Sequence, residues 1–332
     1  MLWPFRSPSR VPSVSEQSSR LRNFPVAWFA VVMGLSGLTL AWNRAETLLP
    51  VPLAVSCYLR DAVAVVFVVL GAIYAAKLAR HPAAVAAEFR HPVKLSFFPA
   101  FSIALLLTSM TYVDAAPAAS RWLWMAGAAA HLLFTLHVLS AWTRQTHHIQ
   151  HISPAWFIPV VGNILVPIAG VRHAPAEVSW FFFAIGLLFW LVLLTIIFYR
   201  LIFHEPLPER LTPTLFILIA PPAVGFVSYY SLTGQFDPFA RVLYYVALFL
   251  TLLLFTQWRR FARLRFFISW WAYSFPLAAI TIATLLAFKH THAGFLAGLA
   301  WVLLAVTTLV IGLLAARTAY AVARREICVE EG

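Results

Sequence analysis

Charge is scarce in this sequence, and negative charge is scarcer than positive. Asp, Glu, Lys and Arg make up 11% of the 332 residues, whereas soluble domains carry about 25%. Hydrophobic residues account for 62% of the chain. A single water-facing domain has too little interior to bury so much apolar surface, so this composition excludes an ordinary soluble protein. It favours a chain whose solvent is a lipid bilayer.

Cysteine is almost absent. Cys57 and Cys328 are the two cysteines of the chain, and the topology derived below places them on opposite sides of the membrane, so no disulfide framework is expected. An apolar leader is also lacking, because residues 1–22 are polar and no short hydrophobic run precedes the first long one. We therefore expect no cleavable signal peptide.

Groups that could hold a metal or a haem are few. His147, His148 and His151 cluster in one loop, but no Cys or carboxylate lies there to complete a zinc site, which favours a solvated loop. His131 and His137 lie in one predicted span, and no other span offers a mid-depth histidine as a second haem ligand. We expect no metal and no cofactor, assign these two histidines to packing or an interhelical hydrogen bond, and keep a membrane-embedded redox or haem protein as a remote alternative.

Long hydrophobic runs dominate what is present. About 20 mostly apolar residues are needed for a helix to cross the hydrocarbon core, and ten segments meet that requirement. They are 24–43, 56–79, 95–113, 121–141, 155–170, 178–200, 213–233, 239–256, 267–288 and 293–317. The fifth is short and is expected to be broken. The prediction is an all-α integral membrane protein with a ten-helix domain over 23–320 and tails at 1–22 and 321–332.

The basic residues divide unequally between the two sides of this predicted bundle. Eighteen of the 24 Lys and Arg residues lie on the side that holds both tails and the even-to-odd loops. Positive charge concentrates on the cytoplasmic side of membrane proteins, so both termini are predicted to be cytoplasmic, in a bacterial inner membrane. The net charge of +12 therefore reflects membrane orientation and lipid contact, and no nucleic-acid partner is expected.

The distribution of proline differs between the odd-numbered and the even-numbered spans. Every odd span contains at least one proline and no even span has one in its interior. Proline removes a helix hydrogen bond, and in a membrane the freed groups must meet protein or water. This pattern predicts five helical hairpins, with odd helices lining a central pore and even helices outside; the alternative is that proline is simply common in membrane helices. The predicted kinks are at Pro99, Pro159, Pro221 and Pro276.

The predicted inner helices contain almost no ionisable groups at mid-depth. Carboxylates there would indicate a proton relay or an ion-coupled site, and acidic rings are typical of cation channels. Their absence argues against both. Small, hydroxyl-bearing, amide and aromatic residues are left as candidates to line the pore: Gly34, Gly37, Phe97, Phe98, Ser102, Asn163, Ser228, Ser274 and Phe275.

Four stretches resemble the tellurite-resistance/dicarboxylate transporter family, which includes the bacterial TehA proteins and the plant guard-cell slow anion channels. They fall in order along nearly the whole chain. The stretches are Asn23-Phe24-Pro25 with Met33-Gly34, Ala87-Glu88-Phe89-Arg90-His91-Pro92-Val93-Lys94 running into Phe97-Phe98, Pro154-Ala155-Trp156-Phe157-Ile158-Pro159-Val160-Val161-Gly162-Asn163, and Trp270-Trp271-Ala272-Tyr273-Ser274-Phe275-Pro276.

The resemblance implies a fold and a function. It implies ten helices in five hairpins, a homotrimer with one pore in each subunit, and passage of small inorganic or organic anions such as chloride or nitrate. It also implies that a phenylalanine of the ninth helix occludes the pore, and the matching residue is Phe275. Two readings stay open: a passive anion channel, and a carrier or exporter of dicarboxylates, sulfite or tellurite-type oxyanions. An enzyme is not expected.

Overall fold

Ten long apolar helices form the body of the protein. The computed structural model describes residues 20–51, 54–144 and 146–328, and the ten predicted spans are confirmed within them. The outermost parts of the predicted tails, 1–19 and 329–332, lie outside the described residues. The spans are α1 (Val26–Leu48), α2 (Val55–Arg80), α3 (Lys94–Thr111), α4 (Pro117–Arg144), α5 (Pro154–His173), α6 (Ala176–Phe203), α7 (Glu209–Thr233), α8 (Pro238–Phe255), α9 (Ile268–Thr291) and α10 (Gly294–Ala323).

Burial alternates along the chain. Between 67% and 89% of the residues of the odd spans are buried, against 17% to 39% in the even spans. Each odd span packs against the even span that follows it, and α1, α3, α5, α7 and α9 contact one another in that order, with α9 returning to α1. The odd spans therefore form a closed inner layer. The even spans expose large apolar side chains such as Leu188 and Leu313, as a helix facing lipid does.

The odd spans change helix type near their starts. Each begins with 3₁₀ turns and continues as α-helix, and the prolines lie at or beside this change. An α-helix leaves the N–H groups of its first turn without an intrahelical acceptor, so proline costs no hydrogen bond there. Pro99, Pro221 and Pro276, where kinks are predicted, thus lie at or beside 3₁₀-to-α junctions, and the kinks themselves stay predictions. The α-helical segments that follow are Ala100–Thr111, Ala220–Thr233 and Ser274–Thr291.

The predicted break in α5 is present. Pro159 lies in a five-residue α-helix, Phe157–Val161, which is followed by a 3₁₀ turn at Gly162–Leu165 and a second helix at Val166–His173. Two α-helices too short to span the membrane lie between spans, at Pro82–Arg90 and Trp258–Ala262.

A buried ion pair joins the first of these short helices to α1 and α2. Lys77 Nζ lies 2.6 Å from Glu88 Oε2, and the two side chains are 3% and 7% exposed. Lys77 also donates to the Phe24 carbonyl at 2.7 Å, and the Val26 N–H donates to Glu88 Oε1 at 2.8 Å. The start of α1 is therefore held by both charges. In the sequence alone, Lys77 is one of the eighteen basic residues on the side that holds both tails, and nothing there indicates its partner.

Candidate functional site

One cavity lies inside the closed layer, and all five odd spans line it. Its volume is about 70 Å³, roughly five times the smallest space that holds a water molecule. Leu40 of α1, Leu107 of α3, Leu165 of α5, Val224 of α7 and Phe275 of α9 represent the five walls. The walls are largely apolar, so the cavity excludes large polar solutes but admits a small, weakly hydrated one.

Phe275 lies at one end of this cavity. It is the second residue of the α-helical segment Ser274–Thr291, and the other α9 residues of the wall, Ala279 and Ile282, follow one and two turns later. Gly37 of α1 lies beside the ring, since a Cβ built there would be 3.4 Å from Phe275 Cδ2 and 2.8 Å from the Ala278 Cβ. The absent side chain at Gly37 leaves α1 and α9 close together behind the aromatic ring.

Gly34 and Ser274, also predicted to line a pore, lie at the contact between α1 and α9. A Cβ at Gly34 would overlap the Ser274 side chain and lie 3.0 Å from Trp271 Cε3. The Ser274 hydroxyl donates to the Trp271 carbonyl at 2.5 Å. These residues allow close helix packing of the kind common in membrane proteins, and they do not contribute to the cavity wall.

Ser102 and Asn163 turn toward α4. The Ser102 hydroxyl donates to the Pro99 carbonyl at 2.8 Å and lies 2.8 Å from His131 Nδ1. The Asn163 amide donates to Thr135 Oγ1 at 2.8 Å. The interhelical hydrogen bond expected for His131 is therefore confirmed. The polar groups of α3 and α5 are used to hold α4, and the cavity wall is left to their aliphatic side chains.

The remaining candidates are buried away from the cavity wall or only partly buried. Phe98 packs edge-on against Phe89 and Tyr74, with ring centroids 4.8 Å and 6.5 Å apart, so it faces α2 and the short helix. Phe97 is half-buried against the core. Ser228 is fully buried, and its hydroxyl has no hydrogen-bond partner among the residues that the structure describes. Of the nine candidates, Phe275 is the one placed in the cavity wall.

Sequence reasoning missed the polar end of the cavity. Asn43 and Arg44 belong to its lining, but the predicted first span ended at residue 43 and left Arg44 outside the bundle. The helix continues to Leu48, so Arg44 is a half-buried helical residue. The signal for this extension was the helix-forming stretch from Arg44 to Leu48, which a hydropathy criterion alone discards.

The electrostatics of the cavity are one-sided. Among the described residues, those that line it include one cation, Arg44, and no carboxylate. An anion entering such a space meets no like charge, whereas a cation meets a fixed positive charge in a surrounding of low dielectric constant. The arrangement therefore favours anions over cations at this point of the molecule.

These features define a class: a multi-pass membrane protein with an apolar, cation-rimmed cavity enclosed by its inner helices. Comparison with known families agrees with it. The family model described as SLAC1, voltage-dependent anion channel, matches residues 23–319. The chain therefore belongs to the SLAC1/TehA family of anion channels and transporters.

Individual relatives come from bacteria and plants. The chain is 28% identical over 302 residues to the tellurite resistance protein TehA homolog of Haemophilus influenzae, covering 89% of this chain and 90% of the relative. It is 29% identical over 276 residues to the S-type anion channel SLAH3 of Arabidopsis thaliana, covering 80% of this chain and 43% of that protein. The guard cell S-type anion channel SLAC1 of the same plant is 26% identical over 281 residues, which span half of its length.

Proposed function

We propose that this protein is an anion channel that passes small anions, such as chloride or nitrate, along the axis of the odd spans. The observation that carries the proposal is the cavity that all five odd spans line, with Arg44 at one end and Phe275 at the other. In this proposal the ten spans form five hairpins, and the odd member of each hairpin faces the pathway. The alternating burial of the spans supports this arrangement.

The Phe275 ring closes the pathway in the proposed mechanism. An apolar constriction filled by an aromatic ring blocks an ion by its bulk and by keeping water out. Because the ring packs against Gly37, where no side chain opposes it, a rotation of its side chain or a shift of α9 against α1 opens the passage. Among the described residues that line the cavity, no lysine or arginine other than Arg44 is available to hold the ion, which suits conduction over storage.

Membrane placement and assembly complete the proposal. The excess of Lys and Arg on one side supports cytoplasmic termini and residence in a bacterial inner membrane. Because every subunit encloses its own cavity, a homotrimer would carry three separate pathways, with apolar surfaces of the even spans against neighbouring subunits and lipid. The tails flank the ten-helix domain on the cytoplasmic side.

The decisive experiment compares currents carried by the wild type and by Phe275→Ala. The protein is reconstituted in a planar bilayer, and the chloride in the bath is then replaced by nitrate or by gluconate. We expect a small wild-type current and an increase of at least about tenfold in the variant, because the substitution removes the ring from the pathway. Phe98→Ala is the matched control, since it removes a ring that packs against Phe89 and Tyr74. Folded, inserted protein that stays silent in both forms, or an equal gain in Phe98→Ala, would contradict the proposal.

A carrier of oxyanions is the second candidate, and the similarity to the TehA homolog, a tellurite resistance protein matched over 90% of its length, favours it. A carrier gives saturable, proton-dependent uptake of sulfite, tellurite or a dicarboxylate into vesicles. A channel gives currents that follow the driving force without saturating in the same range.

A further inference from the structure

Arg44 occupies an unusual position among the basic residues near this end of the bundle. It lines the cavity together with Asn43, and within the described part of the chain its guanidinium has no ion-pair or hydrogen-bond partner. A half-buried guanidinium without a partner keeps all five of its donors available to a ligand.

Nearby arginines are engaged differently. Arg60 pairs with Asp61 at 3.1 Å, and Arg172 lies 3.3 Å from Asp114. Arg241 lies 5.0 Å above the Phe236 ring. Arg44, by contrast, lies in the cavity wall and has no such partner among the described residues.

The side-chain chemistry of Arg44 and Asn43 favours one class of ligand. A guanidinium presents parallel N–H donors that match the two oxygens of a planar oxyanion, and such bidentate pairs are stronger than single hydrogen bonds. The neighbouring Asn43 side chain, exposed at the cavity mouth, adds an amide donor. The rest of the wall is apolar, which disfavours strongly hydrated ions.

We propose that Arg44, assisted by Asn43, forms an anion-binding site at the mouth of the cavity, selective for small planar oxyanions such as nitrate over bulky organic anions. The site deepens the proposed function, because it concentrates the permeant ion at the end of the pathway opposite Phe275. It rests on that proposal for its role in transport, but not for the binding itself.

The test measures the electrostatic potential inside the cavity and the binding of an anion there, and it requires no measurement of current. Ile282 lines the same wall, so Ile282→Cys is introduced into protein carrying Cys57→Ser and Cys328→Ser, purified in detergent. The rates of modification by an anionic and a cationic methanethiosulfonate reagent are then compared. We expect Arg44→Gln to lower the anionic-to-cationic rate ratio by about tenfold, because one positive charge near the cysteine attracts one reagent and repels the other. Arg241→Gln, which removes a cation outside the cavity, should leave the ratio unchanged.

The effect of added anions on the modification rate tests binding at the site itself. Nitrate at constant ionic strength, balanced with gluconate, should slow the modification at least about twofold in the Arg44 protein and not in Arg44→Gln. Arg44→Lys should keep most of the rate ratio and lose most of the protection by nitrate, since an ammonium lacks the planar fork. An unchanged ratio in Arg44→Gln, or equal protection by nitrate and gluconate, overturns the site. Gel filtration of every variant verifies that it is folded.

The proposal of an anion channel and the proposal of a binding site at Arg44 can be contradicted independently of each other. If Phe275→Ala carries no current but nitrate protects the cysteine through Arg44, the site stands and the channel falls. If Phe275→Ala conducts and Arg44→Gln alters neither the rate ratio nor the protection, the channel stands and the site falls.

Discussion

At the residue scale, the buried pair of Lys77 and Glu88 fixes the start of α1. The charges lie 2.6 Å apart and are nearly inaccessible to solvent. Lys77 also donates to the Phe24 carbonyl, and Glu88 also accepts from the Val26 N–H and the Tyr74 hydroxyl. A buried pair costs desolvation energy when it forms, but removal of one partner leaves an uncompensated charge, which is far more costly. The pair therefore stabilises this arrangement against any that separates α2 from the short helix Pro82–Arg90.

Replacement of Lys77 by methionine is expected to destabilise the protein by about 3 kcal/mol, because Glu88 stays buried without its cation. Unfolding by increasing sodium dodecyl sulfate in mixed micelles, followed by circular dichroism, measures this change. The double variant Lys77→Met with Glu88→Gln should lose less than the sum of the two single changes. Lys289→Met, at an exposed position, is the control and should stay within about 0.5 kcal/mol of wild type. A Lys77→Met variant as stable as this control would show that the pair contributes nothing.

Residue-level roles were the hardest to predict from the sequence. Lys77 and Glu88 belong to different helices, so only the fold brings them together. Ser102 and Asn163 are polar residues in buried spans, but both faces of such a span are buried, and periodicity does not say which face meets the cavity. The change from 3₁₀ to α geometry within each odd span also alters the angle per residue, which shifts the helical phase. Phe275 lies in the cavity wall, as the family resemblance led us to expect, and its role as a gate stays a prediction.

At the scale of elements, the contact between α1 and α9 sets the position of Phe275. Gly34 lies against Ser274 and Trp271, and Gly37 against Ala278 and the Phe275 ring. Without side chains at these two positions the helix backbones approach closely, and dispersion contacts replace the hydrophobic driving force that lipid does not supply. A displacement of α1 would therefore move the wall behind the ring.

Gly34→Ala is expected to destabilise the protein by about 1–3 kcal/mol, because the added methyl group overlaps Ser274 and forces α1 away from α9. The melting temperature in detergent, followed by circular dichroism, should fall. Gly71→Ala is the matched control, since a Cβ at Gly71 meets nothing within 4 Å, and alanine favours a helix over glycine. An equal fall in both variants would contradict close packing as the cause.

The elements themselves were largely predictable. Ten apolar runs, each near 20 residues, gave the ten spans to within a few residues, because a bilayer imposes both length and hydrophobicity. The extension of α1 to Leu48 was not predictable on that basis, since Asn43, Arg44 and Glu46 lower its hydropathy while the helix continues. The spans that contain prolines are the most buried ones, as predicted for inner spans. At the positions where kinks were expected, the prolines lie at changes of helix type.

At the scale of the whole molecule, the predicted orientation places the two native cysteines on opposite sides. Cys57 lies in the first turn of α2 and donates to the Ala54 carbonyl at 3.0 Å, on the side of the bundle where the loop from α1 to α2 lies. Cys328 lies beyond the end of α10, in the segment held beside α1 by the hydrogen bond from Arg20 to the Arg325 carbonyl at 3.5 Å. The chain therefore carries its own probe for each face of the membrane, and no engineered label is needed.

A membrane-impermeant maleimide added to intact cells is expected to label Cys57 and not Cys328. Both termini are predicted to be cytoplasmic, which places the loop between α1 and α2 outside the membrane and the segment after α10 inside. Permeabilised cells should show both labels, detected by the mass shift of the purified protein. Burial raises the pKa of the Cys328 thiol, so less thiolate is present at neutral pH and its labelling should accelerate as the pH rises. Cys57→Ser should abolish the signal from intact cells. Labelling of Cys328 before permeabilisation would invert the topology, and Arg44 would then lie at a cytoplasmic mouth of the pathway.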